Sequence, residues 1–328
     1  MVLRVGVLGV GHFGRFHALK AAAGAGRRIA LSGVSDADPA RAAAVAGEVR
    51  AAAMGAGDLI AASDAVIVAA PTAHHHALAR AALEAGRHVL VEKPLAATVA
   101  EGEALVALAA ARGRVLQVGH LERFSAGIAA LRGAAGDGGA AARVGRPLYL
   151  EAVRMAPFRP RSLDVSCVLD LMIHDLDLAL ALFGAPLVGV DAVGTPVCSE
   201  RLDLANARLR FGSGAVATLT ASRASLRMER RLRLYGGEGY VGVDFLARTM
   251  TVVRRGEGAP LDALPGHGAA TTSWTEHDSL EAEHAAFARS CLDGAPVEAD
   301  GAAGLAALDA ALRVERAVEA SRQAVEAG

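Results

Sequence analysis

Of the 34 lysines and arginines in this chain, 32 are Arg; the two lysines are Lys20 and Lys93. A compact ammonium reaches a single oxygen and can change its charge on burial, whereas a guanidinium stays charged and presents a planar fork. Lys93 lies in Glu92-Lys93-Pro94, directly after the apolar run His88-Val89-Leu90-Val91. That run reads as a buried parallel strand, and open α/β sheets bind ligands beyond the carboxyl ends of their strands. Lys93 is therefore a candidate catalytic amine, and Lys20 reads as a surface residue.

The second constellation is Asp170-Leu171-Met172-Ile173-His174-Asp175-Leu176-Asp177. On a helix, Asp170 and His174 at i and i+4, with Asp177 three residues on, share one face. Apolar neighbours make the helix largely buried, where polar groups are costly unless paired or used. An imidazole that titrates near neutrality can take a proton from a reacting hydroxyl, and Asp170 can orient it or hold a substrate hydroxyl. The plainer alternative is a structural His–Asp network in a core helix. No metal is expected. HExxH and CxxC patterns are absent, and the consecutive His74, His75 and His76 point in different directions. Of these, His75 is expected to line the cofactor groove.

Gly9-Val10-Gly11-His12-Phe13-Gly14 fits GxGxxG between a strand and a helix, the context in which that motif carries meaning. The glycines permit the turn, close approach of a pyrophosphate and tight helix–strand packing. Asp36, at the end of the next strand, is placed to accept from both ribose hydroxyls and to repel a 2′-phosphate, which favours NAD over NADP. Arg41, five residues on, could soften that preference and leaves NADP possible. The alternative for Asp36 is a helix cap or turn residue. Pro71-Thr72, at the end of a third strand, would line the path of the ribose and nicotinamide.

Length, alternation and charge say what must position these groups. The first ~120 residues alternate short apolar strands (Leu3–Leu8, Ile29–Ser35, Ala65–Ala69, His88–Val91, Val115–Val118) with helices (Gly14–Ala23, Pro39–Val49, His74–Ala85, Thr98–Arg112), the pattern of a doubly wound parallel sheet. Further on, Phe124–Arg132 and Val168–Phe183 read as helices and Gly133–Arg143 as a loop. Pro147–Val153 reads as a strand, and Leu187 to Val253 as strands joined by glycine turns. Arg254–Ser273 reads as a polar loop, with closing helices at Leu280–Cys291 and Gly304–Ala320. The division expected is a dinucleotide-binding domain over 1–120 and a substrate and oligomerisation domain over 121–328. The formal charge of −1 gives no field for nucleic acid and no basic patch for a membrane. Three scattered cysteines imply no disulfide framework. The expected setting is the cytoplasm.

Together these residues resemble the Gfo/Idh/MocA oxidoreductases. The resemblance rests on Gly9 to Gly14, Pro71 with His75, Gly86 through Pro94, Arg123-Phe124, Asp170 with His174, a glycine turn at Gly236 to Gly239, and a closing helix. It implies an N-terminal Rossmann domain plus an α/β domain with a large, open, mostly antiparallel sheet that forms a homodimer or homotetramer face. It also implies NAD(P)-linked hydride transfer with a sugar, nucleotide-sugar or cyclitol carbinol. In that family the lysine at Lys93 contacts the reacting hydroxyl, the histidine at His174 takes its proton, and Asp170 positions substrate. The cofactor set then comprises Gly9, Gly11, His12, Phe13, Gly14, Asp36, Arg41, Pro71, Thr72, His75, Glu92 and Lys93. The stretches around Gly119–Phe124, Phe158–Val165 and Val168–Asp175 are similar to a subgroup of UDP-N-acetylglucosamine 3-dehydrogenases. On that resemblance Arg123, Arg159 and Arg161 are candidate substrate contacts. Arg154, Arg159 and Arg161 either bind a diphosphate or form a solvated basic loop. Other readings are an inositol or other sugar dehydrogenase, a biliverdin-reductase-like enzyme, and a silent NAD-binding sensor.

Overall fold

The computed structural model describes residues 1–24, 28–133, 139–159, 165–275 and 277–326. It divides into two compact units, residues 1–124 with 278–308, and residues 125–277 with 309–328.

The first unit is built on five parallel strands: β1 (Leu3–Leu8), β2 (Ile29–Ser35), β3 (Ala65–Val68), β4 (His88–Glu92) and β5 (Leu116–Gly119). Their order is β2-β1-β3-β4-β5. Helices α1 (His12–Ala22), α2 (Pro39–Val49), α3 (Ala56–Ala62), α4 (His75–Glu84) and α5 (Val99–Arg112) make the crossovers. Strand parity divides the core in two. Val5, Val7, Ile67 and Leu90 face one layer with Ala18, Ala21, Phe287 and Ala288. Val66, Val68, Val89, Val91 and Val118 face the other with Ala79, Leu83 and Leu105. Both sheet faces are covered, so the strands are apolar throughout. Thr98 caps α5 with a reciprocal capping box, accepting from the Glu101 N–H while the Glu101 carboxylate accepts from the Thr98 N–H.

The second unit carries α6 (Ala126–Arg132), α7 (Gly139–Ala142) and a nine-stranded sheet. Its strands are β6 (Pro147–Met155), β7 (Leu187–Thr195), β8 (Leu204–Phe211), β9 (Val216–Ser222), β10 (Glu229–Gly236), β11 (Gly239–Asp244), β12 (Thr249–Arg255), β13 (Ala259–Pro260) and β14 (His267–Ser273). The order is β13-β14-β12-β11-β10-β6-β9-β8-β7, antiparallel except for β6 beside β9. A π-turn at Val168–Met172 leads into α8 (Ile173–Phe183). The chain ends with α9 (Ser279–Asp293) and α10 (Gly301–Glu326).

Three expectations change. Residues 278–308, assigned from sequence to the second domain, belong to the first unit, because Phe287 and Ala288 of α9 pack into its core. Part of the expected loop Arg254–Ser273 is strand: β14 pairs with β12 although its Gly-Ala-Ala-Thr-Thr run lacks an alternating apolar signal. The expected helix from Val168 begins as a π-turn rather than an α-turn. Residues 134–138 of the expected Gly133–Arg143 loop, and residues 160–164 with Arg161, lie outside the described residues. No helix among the described residues is long and apolar enough to cross a membrane.

Candidate active site

The parallel sheet gathers the motifs of the first unit at one edge. The glycine loop follows β1, Pro71-Thr72 follows β3 and Lys93 follows β4, so all leave from carboxyl ends of strands. The strand order reverses between β1 and β3, which opens a crevice for a ligand. At Gly9 the backbone has φ +86°, and a Cβ would lie 2.6 Å from the Ala70 nitrogen. At Gly14 a Cβ would lie 1.9 Å from the Gly9 carbonyl oxygen. Both positions exclude any side chain. Gly11, the N-cap of α1, offers no side-chain cap and would meet nothing within 4 Å of a Cβ. The N-terminus of α1 thus has no side-chain cap, and a pyrophosphate is a group that such a terminus accepts. His12 and Phe13 are exposed on that turn.

Asp36 is tied into this cradle. Its Oδ2 accepts from the Val10 N–H at 2.8 Å, and its Oδ1 from the Asp38 N–H at 2.9 Å and Arg41 Nη1 at 3.3 Å. The N-cap of α2 is Asp38, not Asp36, since Asp38 accepts from the Ala40 and Arg41 N–H groups. A carboxylate has about four lone-pair sites, so Asp36 retains acceptor capacity for a ribose. Arg41 is paired with both Asp36 and Asp38.

Around Lys93 the chain is braced by buried histidines. The Lys93–Pro94 bond is cis. His75 is 1% exposed, and its ring nitrogens lie 2.8 Å from the Pro94 and Ala70 carbonyl oxygens, joining the turn after β4 to the turn after β3. Burial holds this imidazole below its usual range, although both carbonyls favour the cation. His75 therefore acts on the groove through the backbone. Thr72 is half-buried and Pro71 exposed. Glu92 accepts from the Lys93 N–H at 3.2 Å through Oε2. Its Oε1 lies 2.9 Å from His17 Nε2. Lys93 is half-buried. Arg123 donates from Nη1 to the Glu298 carbonyl at 2.6 Å, which fixes the turn after β5.

In the second unit, Asp170 lies in the π-turn, and His174, half-buried, opens α8. Single π-turns are frequent at functional sites. Ser166 secures the start of the turn, its Oγ accepting from the Val168 and Leu169 N–H groups and its carbonyl from the Asp170 N–H. Behind His174, Asp175 receives a two-pronged salt bridge from Arg154 of β6, at 3.0 and 2.8 Å, with both side chains about 95% buried. Arg154 is therefore a brace rather than a diphosphate ligand. Asp177 is buried. Arg159 is exposed. Nearby, the Asp203 carboxylate collects Arg223 and the Val197, Cys198 and Ser199 N–H groups. Burial opposes its charge, but these donors win and hold it below the usual carboxylate range. Burial pushes the Cys167 and Cys291 thiols up to about 12, so both are inert.

The chain is similar to known proteins. Residues 3–120 match the oxidoreductase family with an NAD-binding Rossmann fold, and residues 140–242 match the GFO/IDH/MocA C-terminal domain. The UDP-N-acetylglucosamine 3-dehydrogenase of Acidithiobacillus ferrooxidans is 43% identical over 322 residues, covering 98% of this chain and 99% of that protein. The chain belongs to the Gfo/Idh/MocA oxidoreductase family. A solved structure of that Acidithiobacillus enzyme has a TM-score of 0.90 at 42% identity, covering 98% of each chain. The inositol 2-dehydrogenase of Rhizobium meliloti is 29% identical over 98% of this chain and 99% of its own length.

As a Gfo/Idh/MocA oxidoreductase the protein is a dehydrogenase that uses NAD. Sequence reading missed the residues that hold its motifs in place. His17, Glu283 and His284 were passed over, yet a signal existed. Glu283 and His284 fall three and four residues after Leu280 and four and three before Phe287, on the buried face of α9. Arg154 likewise falls in phase with the buried Leu150 and Ala152 of β6.

Proposed function

We propose that this protein oxidises the C3 hydroxyl of UDP-N-acetylglucosamine with NAD. The observation that carries the reading is the 43% identity, over nearly the whole of both chains, to an enzyme of that name, combined with the presence of Lys93, Asp170 and His174. Bound NAD supplies a hydride acceptor at its nicotinamide. The chain supplies the rest. Lys93 reaches the reacting oxygen with a single N–H and favours the developing alkoxide. His174 accepts the hydroxyl proton as the carbon–hydrogen bond gives up its hydride. Asp170 orients His174 or a neighbouring sugar hydroxyl. Asp36 accepts from the adenosine ribose and repels a 2′-phosphate, so NAD is preferred to NADP. Gly9, Gly11, His12, Phe13 and Gly14 form the pyrophosphate cradle. Pro71, Thr72 and Glu92 shape its continuation, while His75 and Arg41 hold it in place. Arg123, Arg159 and Arg161 are assigned to the substrate, the last two to its diphosphate.

The protein acts as a homodimer or homotetramer in the cytoplasm. The support for assembly is the sheet face carrying Tyr149, Tyr235 and Tyr240, whose rings follow one another at 5.7 and 5.2 Å and are only half-buried. A second substrate class, inositols, is favoured by the Rhizobium relative. The test is NADH absorbance with NAD and either UDP-N-acetylglucosamine or myo-inositol. Turnover with the nucleotide sugar and little with the cyclitol is expected; the reverse order would replace the proposed substrate.

A further inference from the structure

At the end of β4 lies a buried polar cluster of which only Glu92 enters the chemistry proposed above. His17 of α1, Glu92 of β4, and Glu283 and His284 of α9 are 0%, 9%, 0% and 1% exposed. His17 sits at the centre: Nε2 is 2.9 Å from Glu92 Oε1, and Nδ1 is 2.8 Å from His284 Nε2. One ligand atom from each of His17, Glu92 and Glu283 lies within 4.8 Å of the others. Neither Glu283 oxygen has a hydrogen-bond partner among the described residues. Space for the Glu92 carboxylate comes from Gly119, where a Cβ would lie 2.7 Å from Oε1. Two carboxylates this deep and this close cannot both stay charged without a cation between them, and in its absence burial and the neighbouring Glu92 push the Glu283 carboxyl well above its usual range.

We propose that His17 Nε2, Glu92 and Glu283 bind one divalent first-row cation of the zinc type. One imidazole and two carboxylates are a donor set such ions accept. With metal–ligand distances of about 2.0–2.2 Å, ligand atoms of a tetrahedral ion sit about 3.3–3.6 Å apart, so His17 and Glu92, 2.9 Å apart, must separate by about half an ångström to admit it. Glu283 needs only to move its unpaired carboxylate inward. His284 completes the design, because a metal-bound imidazole characteristically donates its other N–H to a neighbouring acceptor. Three protein ligands leave a fourth position for water, and the burial of all three residues gives the ion a bracing role. It pins α1 and α9 to the end of β4, one residue before Lys93.

The test uses the full-length chain, stripped with a chelator and titrated with Zn²⁺ by calorimetry. It is compared with Glu283→Gln and with a His74→Ala/His76→Ala variant that removes exposed imidazoles. One Zn²⁺ per chain is expected, with a rise in melting temperature on loading. Affinity should be unchanged in the double variant and at least tenfold weaker in Glu283→Gln. Absence of binding, binding that survives Glu283→Gln, or binding lost with His74 and His76 would each overturn the proposal. Should Glu283→Gln fail to fold, Co²⁺ added to the stripped wild type decides. Intense visible bands of a low-coordinate ion support the site, and the pale spectrum of hydrated Co²⁺ contradicts it.

Discussion

The two units hold their candidate residues in different ways. In the first, each functional group follows a strand within a few residues, and the parallel sheet stacks the strand ends into one rim. Local order in the sequence becomes spatial order almost automatically. In the second, Asp170 and His174 lie on a π-turn and a helix whose position is fixed by a buried salt bridge from β6. There the placement of the candidate residues depends on long-range charge pairing. The first unit should therefore tolerate loss of a functional side chain with its fold intact, and the second should lose stability when its braces are cut.

The largest expected effect concerns the chemical step. His174→Ala should lower kcat by about 10²–10⁴-fold, measured as NADH formation near neutral pH, and Lys93→Arg should lose turnover while binding NAD normally. Wild-type rates in either variant would remove that residue from the mechanism. Next comes Arg154→Ala, which strands the buried Asp175 charge and should cost about 3–5 kcal/mol in denaturant unfolding. A cost below 1 kcal/mol would mean the second unit does not depend on this brace. Asp36→Ala should leave stability less affected and weaken NAD by about 1.5–3 kcal/mol, with relaxed discrimination against NADP. An unchanged NAD-to-NADP preference in binding titrations would take Asp36 out of the ribose site.

The smallest effect is in pH dependence. His75 has its folded value lowered by burial, so above about 6.5 both states are neutral and the ring contributes nothing. Below that, the unfolded chain binds a proton that the folded ring refuses, and stability falls. Asp203 has the same sign in a more acidic window. Its folded value is depressed, so its contribution is present above the ordinary carboxylate range and is lost only as pH falls through the folded value. The single tryptophan, Trp274, packs against Gly127 in the second unit. Between pH 7 and 5, circular dichroism should therefore report weakening before tryptophan fluorescence changes. Simultaneous loss would erase the distinction between the units.

This contrast also explains what could be read from the sequence. Gly9, Asp36, Pro71 and Lys93 were legible because each sits at a strand end, and parallel β-α repeats leave few topologies open. Asp170 and His174 were legible as a pair, but the π-turn was not, since its spacing fits an α-helix equally well. The partnership of Arg154 with Asp175 spans 21 residues and two elements, and only the inward phase of Arg154 on β6 pointed to it. The return of α9 to the first unit was hidden because its apolar face names no partner. Strand β14 was missed for lack of alternation.

Central to the proposed function are Lys93 as the amine that meets the reacting hydroxyl and His174 as the base that takes its proton. A crystal structure with NAD and UDP-N-acetylglucosamine tests this most directly. The account predicts Lys93 Nζ and a His174 ring nitrogen both within hydrogen-bond distance of the same C3 oxygen, beside the nicotinamide. A bound substrate whose C3 hydroxyl meets neither group would contradict it.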